Sequence, residues 1–560
     1  MGKGPTCPDC SFNRDLQTTG AEMPAGHLKS GCFLFLYLLF QDALSICTIR
    51  SASECRDANV VPGARLAGLG YDVVTLRPKG ASVIDVSAWR SANGSCTLCR
   101  NGHLGNVRQR LPTSLVDWRT LSSCRLSLSS GLHHSAAELS QSATSDITND
   151  WRADLPLPPK PGTGANPVLA GSKSKLVEFG TTHSKSDRYS FASHQFQCLY
   201  YQFRVKAQPL LAPEFTRSLS RLPTVMNDDT KYQYKKLVAT YGTHYLKSVE
   251  LGGHYKSVTA IRTCEAASEG YSTEEVKDCL SLDAHVTLQL TTKSSAGYQK
   301  CKEMARAMKP NKVYQAFSDR ETELRGGRVQ QRTDLFFSGD SSAFTSWMGS
   351  LSTHPGMGRY ALEPLHHLLP NSDPRHAILR RYISDYIAGG GLSLQCTRCP
   401  HGSYHDPRQP CSCLCHGESH VDRNCCSKGK GLGRLVVTVW EGRDLRGDAF
   451  SKADGYVVVK YGEAKARTSM ISNNRHPQWN AELDLGEVKA ESGHKLTIEA
   501  WDQDAKHDDL LGTCQVRLTS GTHGETCFLK YGKVTYGYTF TCGPHLGGAT
   551  CQDYMPSPAE

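Results

Sequence analysis

The sequence predicts a multidomain α+β protein: a mixed block of strands and helices, a small cysteine-stapled module, and an all-β sandwich towards the C-terminal end. Three observations carry this reading. From about 165 to 390, strand-like and helix-like stretches alternate. Between 396 and 426, CTRC, CSCLC and CC place seven cysteines in a segment too small to bury a core of its own. From 432 onward, LGRLVVTVW, DGYVVVKYG, HKLTIEAWD and GTCQVRL read as short strands separated by polar loops, the spacing of an antiparallel sandwich.

At 560 residues the chain has room for several domains. A net charge of +10 fits weak attraction to anionic surfaces. With no block of like charge and no aromatic/basic signature, it does not mark a nucleic-acid binder. Of the 23 cysteines, Cys7, Cys10 and Cys32 lie early, and the remaining 20 could form ten bridges. That density belongs to an oxidising, secretory route. The apolar run GCFLFLYLLF at 31–40 has the length of a signal-peptide core and is too short to span a bilayer. Residues 1–46 are expected to be an N-terminal extension plus a leader that opens at Met23 and is cleaved near Ser45. The N-glycosylation sequon is Asn93-Gly-Ser.

Residues 47–125 carry glycine-rich turns and four cysteines that could close on one another. LPLPPKPGTG at 155–164 is an extended connector, and YSFASHQFQCLYYQFRV at 189–205 leans to strand. TEEVKDCLSL at 273–282 has helical spacing. AHVTLQLT at 284–291 alternates instead, with His285, Thr287 and Gln289 on one face and Val286, Leu288 and Leu290 on the other. RHAILRRYISDYI at 375–387 is a helix with an apolar face, closed by GGG at 389–391. His416 and His420 make zinc a rival for the thiols of 396–426, but an oxidising route favours disulfides there and in CTLC at 96–99. Gly252 and Gly253 sit side by side in the strand-like VELGGHY. Paired glycines weaken a strand, so they mark a bulge or tight turn, or the bending point of a sheet that changes shape.

No GxSxG, HExxH or Walker loop is present, so no enzyme is expected. His244 in YGTHY reads as structural. The acidic loops carry the chemistry. Asp448 and Asp454 flank GDAFSKADGY, while Asp502, Asp504, Asp508 and Asp509 crowd WDQDAKHDDLLG. On matched strands of one sandwich both loops emerge at the same end, and such a cluster repels itself unless a cation neutralises it. Calcium suits it, taking six to eight oxygens in flexible geometry. Its open coordination positions can be filled by lipid phosphate. Phe450 at the first loop tip could enter the interface, and Lys506 and His507 could meet headgroups. The carboxylates must be ionised to hold the ion, so protons compete and affinity should fall in acid.

Tyr234 followed by YGTHY at 241–245 resembles the signature of the membrane-attack-complex/perforin (MACPF) family, through Tyr234, Tyr241, Gly242, Thr243, His244 and Tyr245. VPGARLAGLGYDV at 61–73, CTLC at 96–99, VELGG at 249–253, RTCE at 262–265, YALEPLHHLL at 360–369, CHGESHVDRNCC at 415–426 and CGPHLGGATCQDY at 542–554 are similar to members that end in a C2 domain. The resemblance covers roughly residues 47–554. It implies a MACPF domain over 47–390, a bent four-stranded antiparallel sheet flanked by helical clusters. An EGF-like module over 391–430, a C2 domain over 431–540 and a disulfide-closed tail over 541–560 would follow. It makes Gly252 and Gly253 the hinge of the sheet.

The resemblance implies ten pairings: Cys47–Cys99, Cys55–Cys96, Cys124–Cys198, Cys264–Cys426, Cys279–Cys301, Cys396–Cys411, Cys399–Cys413, Cys415–Cys425, Cys514–Cys527 and Cys542–Cys551. It further implies that subunits pair opposite edges through a basic–acidic contact, at positions matching Lys247 and Glu363. The helical clusters would unfurl into amphipathic hairpins, one near 284–291 and another near 167–196, closing a barrel. The expected activity is that of a secreted, granule-stored effector that needs Ca2+, binds the phospholipid membrane of a target cell and assembles as a homo-oligomeric ring or arc. The first loop, DAF, has fewer aromatics than the family's loop tips, and the third carboxylate of the second loop is Asp508 or Asp509. The alternatives are a non-lytic calcium-dependent membrane-binding MACPF protein and a C2-containing lipid enzyme.

Overall fold

The computed structural model describes residues 47–124, 128–157, 170–288, 290, 296–307, 317–329, 334–337, 341–391, 399, 402–407, 409–417, 419–447 and 452–557. The leader, Asp448, Phe450 and the Cys396–Cys411 pairing lie outside them.

Four antiparallel ribbons form the central sheet. The first is β1 (Leu115–Ser123) and β2 (Leu128–His133), end to end along one side of β3 (Tyr189–Val205). On the other side of β3 runs β4 (His244–Arg262), with Tyr189 opposite Arg262 and Arg204 opposite Ser248. The fourth ribbon is β5 (Arg320–Arg325) and β6 (Gly356–Pro364), again end to end, along the free side of β4. A short hairpin, Leu69–Asp72 with Arg77–Ser82, adds to the His244 end of β4.

Each outer ribbon is joined to its neighbour by a helical insert. The chain leaves β2 at His133, forms α1 (Ala136–Ala143) and α2 (Lys175–Ser184), and returns at Tyr189 beside the strand it left. It leaves β4 at Arg262 and forms α4 (Thr273–Thr287) and α5 (Ala296–Ala307). It returns at Arg320, which lies opposite Thr259. Between β3 and β4 lies α3 (Lys231–Tyr241); α6 (Ser341–Ser350) connects β5 to β6, and α7 (Pro374–Gly389) follows β6. Leu139 and Leu176 of the first insert share a core with Phe191, Val258 and Ala260 of the sheet. Val276, Leu280 and Met304 of the second share another with Phe196, Tyr255, Ile261 and Trp347.

The alternating stretch that begins at 284 is helical as far as Thr287, where α4 ends, in keeping with a segment expected to start in a helical cluster. A Ser272–Glu275 capping box starts this helix. Val276, Cys279, Leu280, Ala284 and Thr287 are buried at helical spacing, and Cys279–Cys301 ties α4 to α5. Tertiary burial on a 3.6-residue period overrides the two-residue pattern. In the 167–196 segment, residues 189–196 already belong to β3.

The free edge of β6 is covered by the first insert. Thr148 donates its N–H to the Tyr360 carbonyl at 2.8 Å, and the Tyr360 N–H bonds the Asp146 carbonyl at 2.9 Å. The Asn149 side chain takes both backbone groups of Leu362, at 2.8 Å each.

The C-terminal sandwich packs two four-stranded sheets over one core that includes Leu435, Val457, Ile498 and Phe540. One sheet holds β7 (Leu432–Arg443), β10 (Gln478–Lys489), β13 (Gly521–Phe528) and β14 (Lys533–Cys542). The other holds β8 (Gly455–Tyr461), β9 (Ala464–Arg467), β11 (Leu496–Asp502) and β12 (Asp509–Val516). Nine disulfides join described cysteines, among them Cys47–Cys99, Cys55–Cys96, Cys124–Cys198, Cys399–Cys413, Cys415–Cys425, Cys514–Cys527 and Cys542–Cys551. Cys264–Cys426 fastens the start of the second insert to the cysteine-rich segment. The tail returns to the sheet domain, where Tyr554 donates its hydroxyl to the buried Asp187 at 2.6 Å. Among the described residues no helix is long and apolar enough to cross a membrane.

Candidate functional site

The YGTHY segment is the elbow between α3 and β4. Gly242 has φ +83°, and a Cβ there would lie 2.4 Å from the Tyr71 carbonyl oxygen, so the turn requires glycine. The Thr243 hydroxyl accepts the Val73 N–H at 3.1 Å and sits 2.7 Å from His244 Nδ1, while His244 Nε2 lies 2.9 Å from the Trp151 carbonyl. His244 is fully buried, and desolvation lowers its pKa to about 4, so it stays neutral. Tyr234 is buried with its hydroxyl on the Pro223 carbonyl at 2.6 Å, and Tyr241 lies 3.2 Å from the Ser218 hydroxyl. Tyr245 enters the same core. The group is a structural latch that sets where β4 begins.

Gly252 and Gly253 stand where the sheet is most irregular. Both neighbours bulge there, with Tyr200 unpaired on β3 and Gly358 on β6. The outer ribbon changes from β6 to β5 at the same point. Val249 and Leu251, before the glycines, lie in the larger core; beyond them Val258 and Ala260 stay in that core while Tyr255 and Ile261 lie in the second, so the second core begins on β4 after the glycines. A Cβ on Gly252 would lie 1.9 Å from the Cys198 carbonyl oxygen, and one on Gly253 would lie 2.5 Å from Leu351 Cδ1 and 2.7 Å from the Trp347 ring.

Lys247 and Glu363 do not lie on opposite edges. Antiparallel pairing of β6 with β4 puts Glu363 opposite Tyr245, and Lys247 Nζ meets Glu363 Oε2 at 2.6 Å within one chain. Within the single chain the two residues are therefore a cross-strand pair. Sequence could not show this, because it did not reveal that the two segments are adjacent ribbons.

At one end of the sandwich the ladders gather the aspartates. Asp502, the last residue of β11, is opposite both Gly455 and Asp509. Asp502 is buried, and its Oδ1 accepts the Asp454 N–H at 2.6 Å. Asp454 Oδ1 in turn accepts the Asn473 N–H at 2.6 Å. Gly447 makes room for this cup, since a Cβ there would lie 2.3 Å from Asp502 Oδ2. Asp508 is turned aside, its Oδ2 taking the Tyr456 hydroxyl at 2.6 Å and its Oδ1 the Asp504 N–H at 3.3 Å. Among the described residues, no three of these carboxylates bring oxygens within 4.8 Å of one another. Hydrogen bonds hold the like charges apart. The donor set is all carboxylate, around a buried aspartate in a glycine-lined recess, and it fits a hard cation. Sequence reading missed Gly447, Tyr456 and Asn473; the glycine before Asp448 was the one visible signal. Beside the cup lies a groove of about 500 Å³ lined by Lys460, Lys465, Trp501, Lys506 and His507, the last two exposed. Asn93 is exposed in a turn, where its side chain accepts the Ser95 N–H at 3.0 Å.

Residues 61–394 match the MAC/Perforin domain and residues 433–530 match the C2 domain. The chain is 38% identical to Perforin-1 of Homo sapiens across 91% of this chain and 93% of that one. It is 34% identical to Perforin-1 of Rattus norvegicus across 94% and 97%. Identity to the complement component C8 alpha chain of Oryctolagus cuniculus is 22%, across 69% of each chain. The signature elbow, the ribbon sheet with its helical inserts and these matches show that the chain belongs to the MAC/perforin family, whose members are pore-forming proteins and not enzymes, and that it carries a C2 domain.

Proposed function

We propose that this chain is a calcium-dependent cytolytic effector, held in secretory granules. Its C2 domain docks on phospholipid, and its sheet domain oligomerises and inserts β-hairpins as a barrel. The observation that carries this reading is the register of the inserts. Residues 134–188 and 263–319 each begin and end on neighbouring, already paired ribbons. Extending each insert from that register continues an existing hairpin and needs no new topology. Each is more than twice the length of two spanning strands of about 9–11 residues. Closure into a barrel satisfies every backbone group in the hydrocarbon.

Asp454, Asp502 and Asp504, with Asp509 or Asp508 and with Asp448 of the first loop, are the residues to hold calcium. Bound there, the ion supplies positive charge and coordination positions open to lipid phosphate. The chain's own contribution is the recess at Gly447 and the backbone donors that orient Asp454 and Asp502.

Release of encapsulated dye from phosphatidylcholine liposomes, with calcium or with chelator, tests the reading. Dye release and co-sedimentation are both expected in calcium. Both should be lost with chelator or in Asp454→Asn. Calcium-dependent co-sedimentation without release identifies instead a non-lytic membrane-binding protein, and binding that survives chelator removes the carboxylate cup from the mechanism.

A further inference from the structure

We propose that Asp154, His366 and His367 form a binding site for a divalent transition metal of the zinc class, separate from the calcium cup. His366 and His367 lie in a short turn after β6, and Asp154 comes from the first insert. Asp154 Oδ2 lies 3.5 Å from His366 Nε2 and 3.3 Å from His367 Nε2, and all three ligand atoms are within 4.8 Å of one another. A tetrahedron with metal–ligand arms of about 2.0–2.1 Å has edges of about 3.3–3.4 Å, so these separations are those of ligands around one ion. As hydrogen bonds they are poor, since N–H···O contacts cluster near 2.9–3.0 Å. Two imidazoles and one carboxylate also form a donor set that zinc accepts.

The surroundings hold the ligands as a metal site requires. His367 Nδ1 is 2.6 Å from Glu363 Oε1, and Glu363 is held in turn by Lys247. A carboxylate on the far nitrogen fixes the tautomer and presents Nε2 to the ion. Arg380 binds the other oxygen of Asp154 at 3.2 Å, which leaves Oδ2 turned towards the histidines. Asp154 itself has φ +64°, a strained backbone for a residue other than glycine. His366 is fully buried, and its Nδ1 has no hydrogen-bond partner. A further imidazole, His376, lies edge-on to His366, with ring centroids 5.0 Å apart.

The site joins the first insert to the end of β6, next to the stretch that covers the β6 edge. A metal there favours the closed arrangement of that insert, because it binds only while the three ligands are together. That consequence rests on the pore-forming reading; the binding site does not.

Untagged chain in saturating calcium is titrated with Zn2+ alone by calorimetry, and its unfolding temperature is followed. One equivalent should bind and raise the unfolding temperature. Asp154→Asn and His367→Gln should each weaken binding by about 100-fold or more, and Glu363→Gln by about 10-fold. The metal-free unfolding temperature of each variant reports whether it has folded. The Co2+ complex of the wild type should show the intense visible bands of a tetrahedral site, absent from both ligand variants. Absence of binding in the micromolar range, or one equivalent that binds the ligand variants as tightly as wild type, overturns the site. In the liposome assay Zn2+ should slow wild-type dye release but not that of Asp154→Asn. A site that binds zinc without slowing release would stand as a site and remove only its role in closure.

Discussion

Gly252 is the clearest case of a residue chosen for what it lacks. A methyl group there would lie 1.9 Å from the backbone oxygen of Cys198, on a strand that cannot move aside without breaking the β3–β4 ladder. Gly252→Ala is expected to cost about 1–3 kcal/mol in denaturant unfolding; a cost below about 0.5 kcal/mol would show that the two ribbons are not in close approach. The charge pair nearer the start of β4 behaves differently. Lys247 is half-exposed, so its contact with Glu363 contributes at most about 1 kcal/mol. Because both residues lie on one chain, double reversal restores that contact within the monomer. Rescue of lysis by double reversal therefore reports a joint between subunits only if the monomer's unfolding temperature is the same in the single and double variants.

The buried histidines give the residue scale a pH dependence. Desolvation lowers His244 to about 4 and His254 to about 3, and the Arg325 charge adds to the effect at His254. In the unfolded chain each titrates near 6.5. The unfolded state therefore binds more protons as pH falls below about 6.5, and stability falls with it until the folded-state values are reached. At pH 5.5 each site costs about 1.4 kcal/mol relative to neutral pH. Thermal unfolding from pH 7.5 to 5 should show a falling midpoint, and His254→Gln should flatten the slope if it folds. A midpoint constant over that range would mean that these imidazoles take up protons in the fold as readily as in the unfolded chain.

At the scale of elements, sequence periodicity identified α7 and the sandwich strands, because one apolar face decides each of them. At the end of α4 it found two patterns at once. Residues 284–287 satisfy a two-residue and a 3.6-residue pattern together, and the arbiter, packing against Phe196 and Tyr255, is a long-range fact. The acidic loops were visible because their aspartates are close in sequence, yet Tyr456 turning Asp508 away was not. The zinc-class cluster was quoted as YALEPLHHLL without its meaning, since Asp154 lies 212 residues from His366. Leu280, fully buried on α4, tests how firmly that helix is held. Leu280→Ala should lower stability by about 2–5 kcal/mol while leaving calcium-dependent liposome binding intact, because the C2 core is separate. Loss of binding at a temperature where the variant is folded would contradict that separation.

At the scale of the whole molecule, the question is how the proposed docking through the aspartate cup would reach the inserts. The covalent route is Cys264–Cys426, which fastens the first turn after β4 to the segment leading into the C2 domain. Arg188 adds to it by donating to the carbonyl oxygens of Asn424 and of Cys413, the latter at 2.8 Å, and Tyr554 by donating to Asp187. All these contacts land close to where an insert meets the sheet, so the C2 domain is anchored at the points from which the hairpins would grow. The bridge closes a loop with a sequence separation of 162 residues. In the chain-entropy account, removing a loop of that size costs about 5 kcal/mol. The paired variant Cys264→Ser with Cys426→Ser should therefore unfold at lower temperature in the sheet domain. The C2 domain keeps its own core and its own Cys514–Cys527 bridge, so the calcium midpoint for liposome binding should shift by less than about twofold. Dye release, measured on the same liposomes below the unfolding transition, should fall far more than binding. Release that keeps pace with binding would show that docking is transmitted without this bridge, through the noncovalent contacts at Asp187 and Arg188 alone.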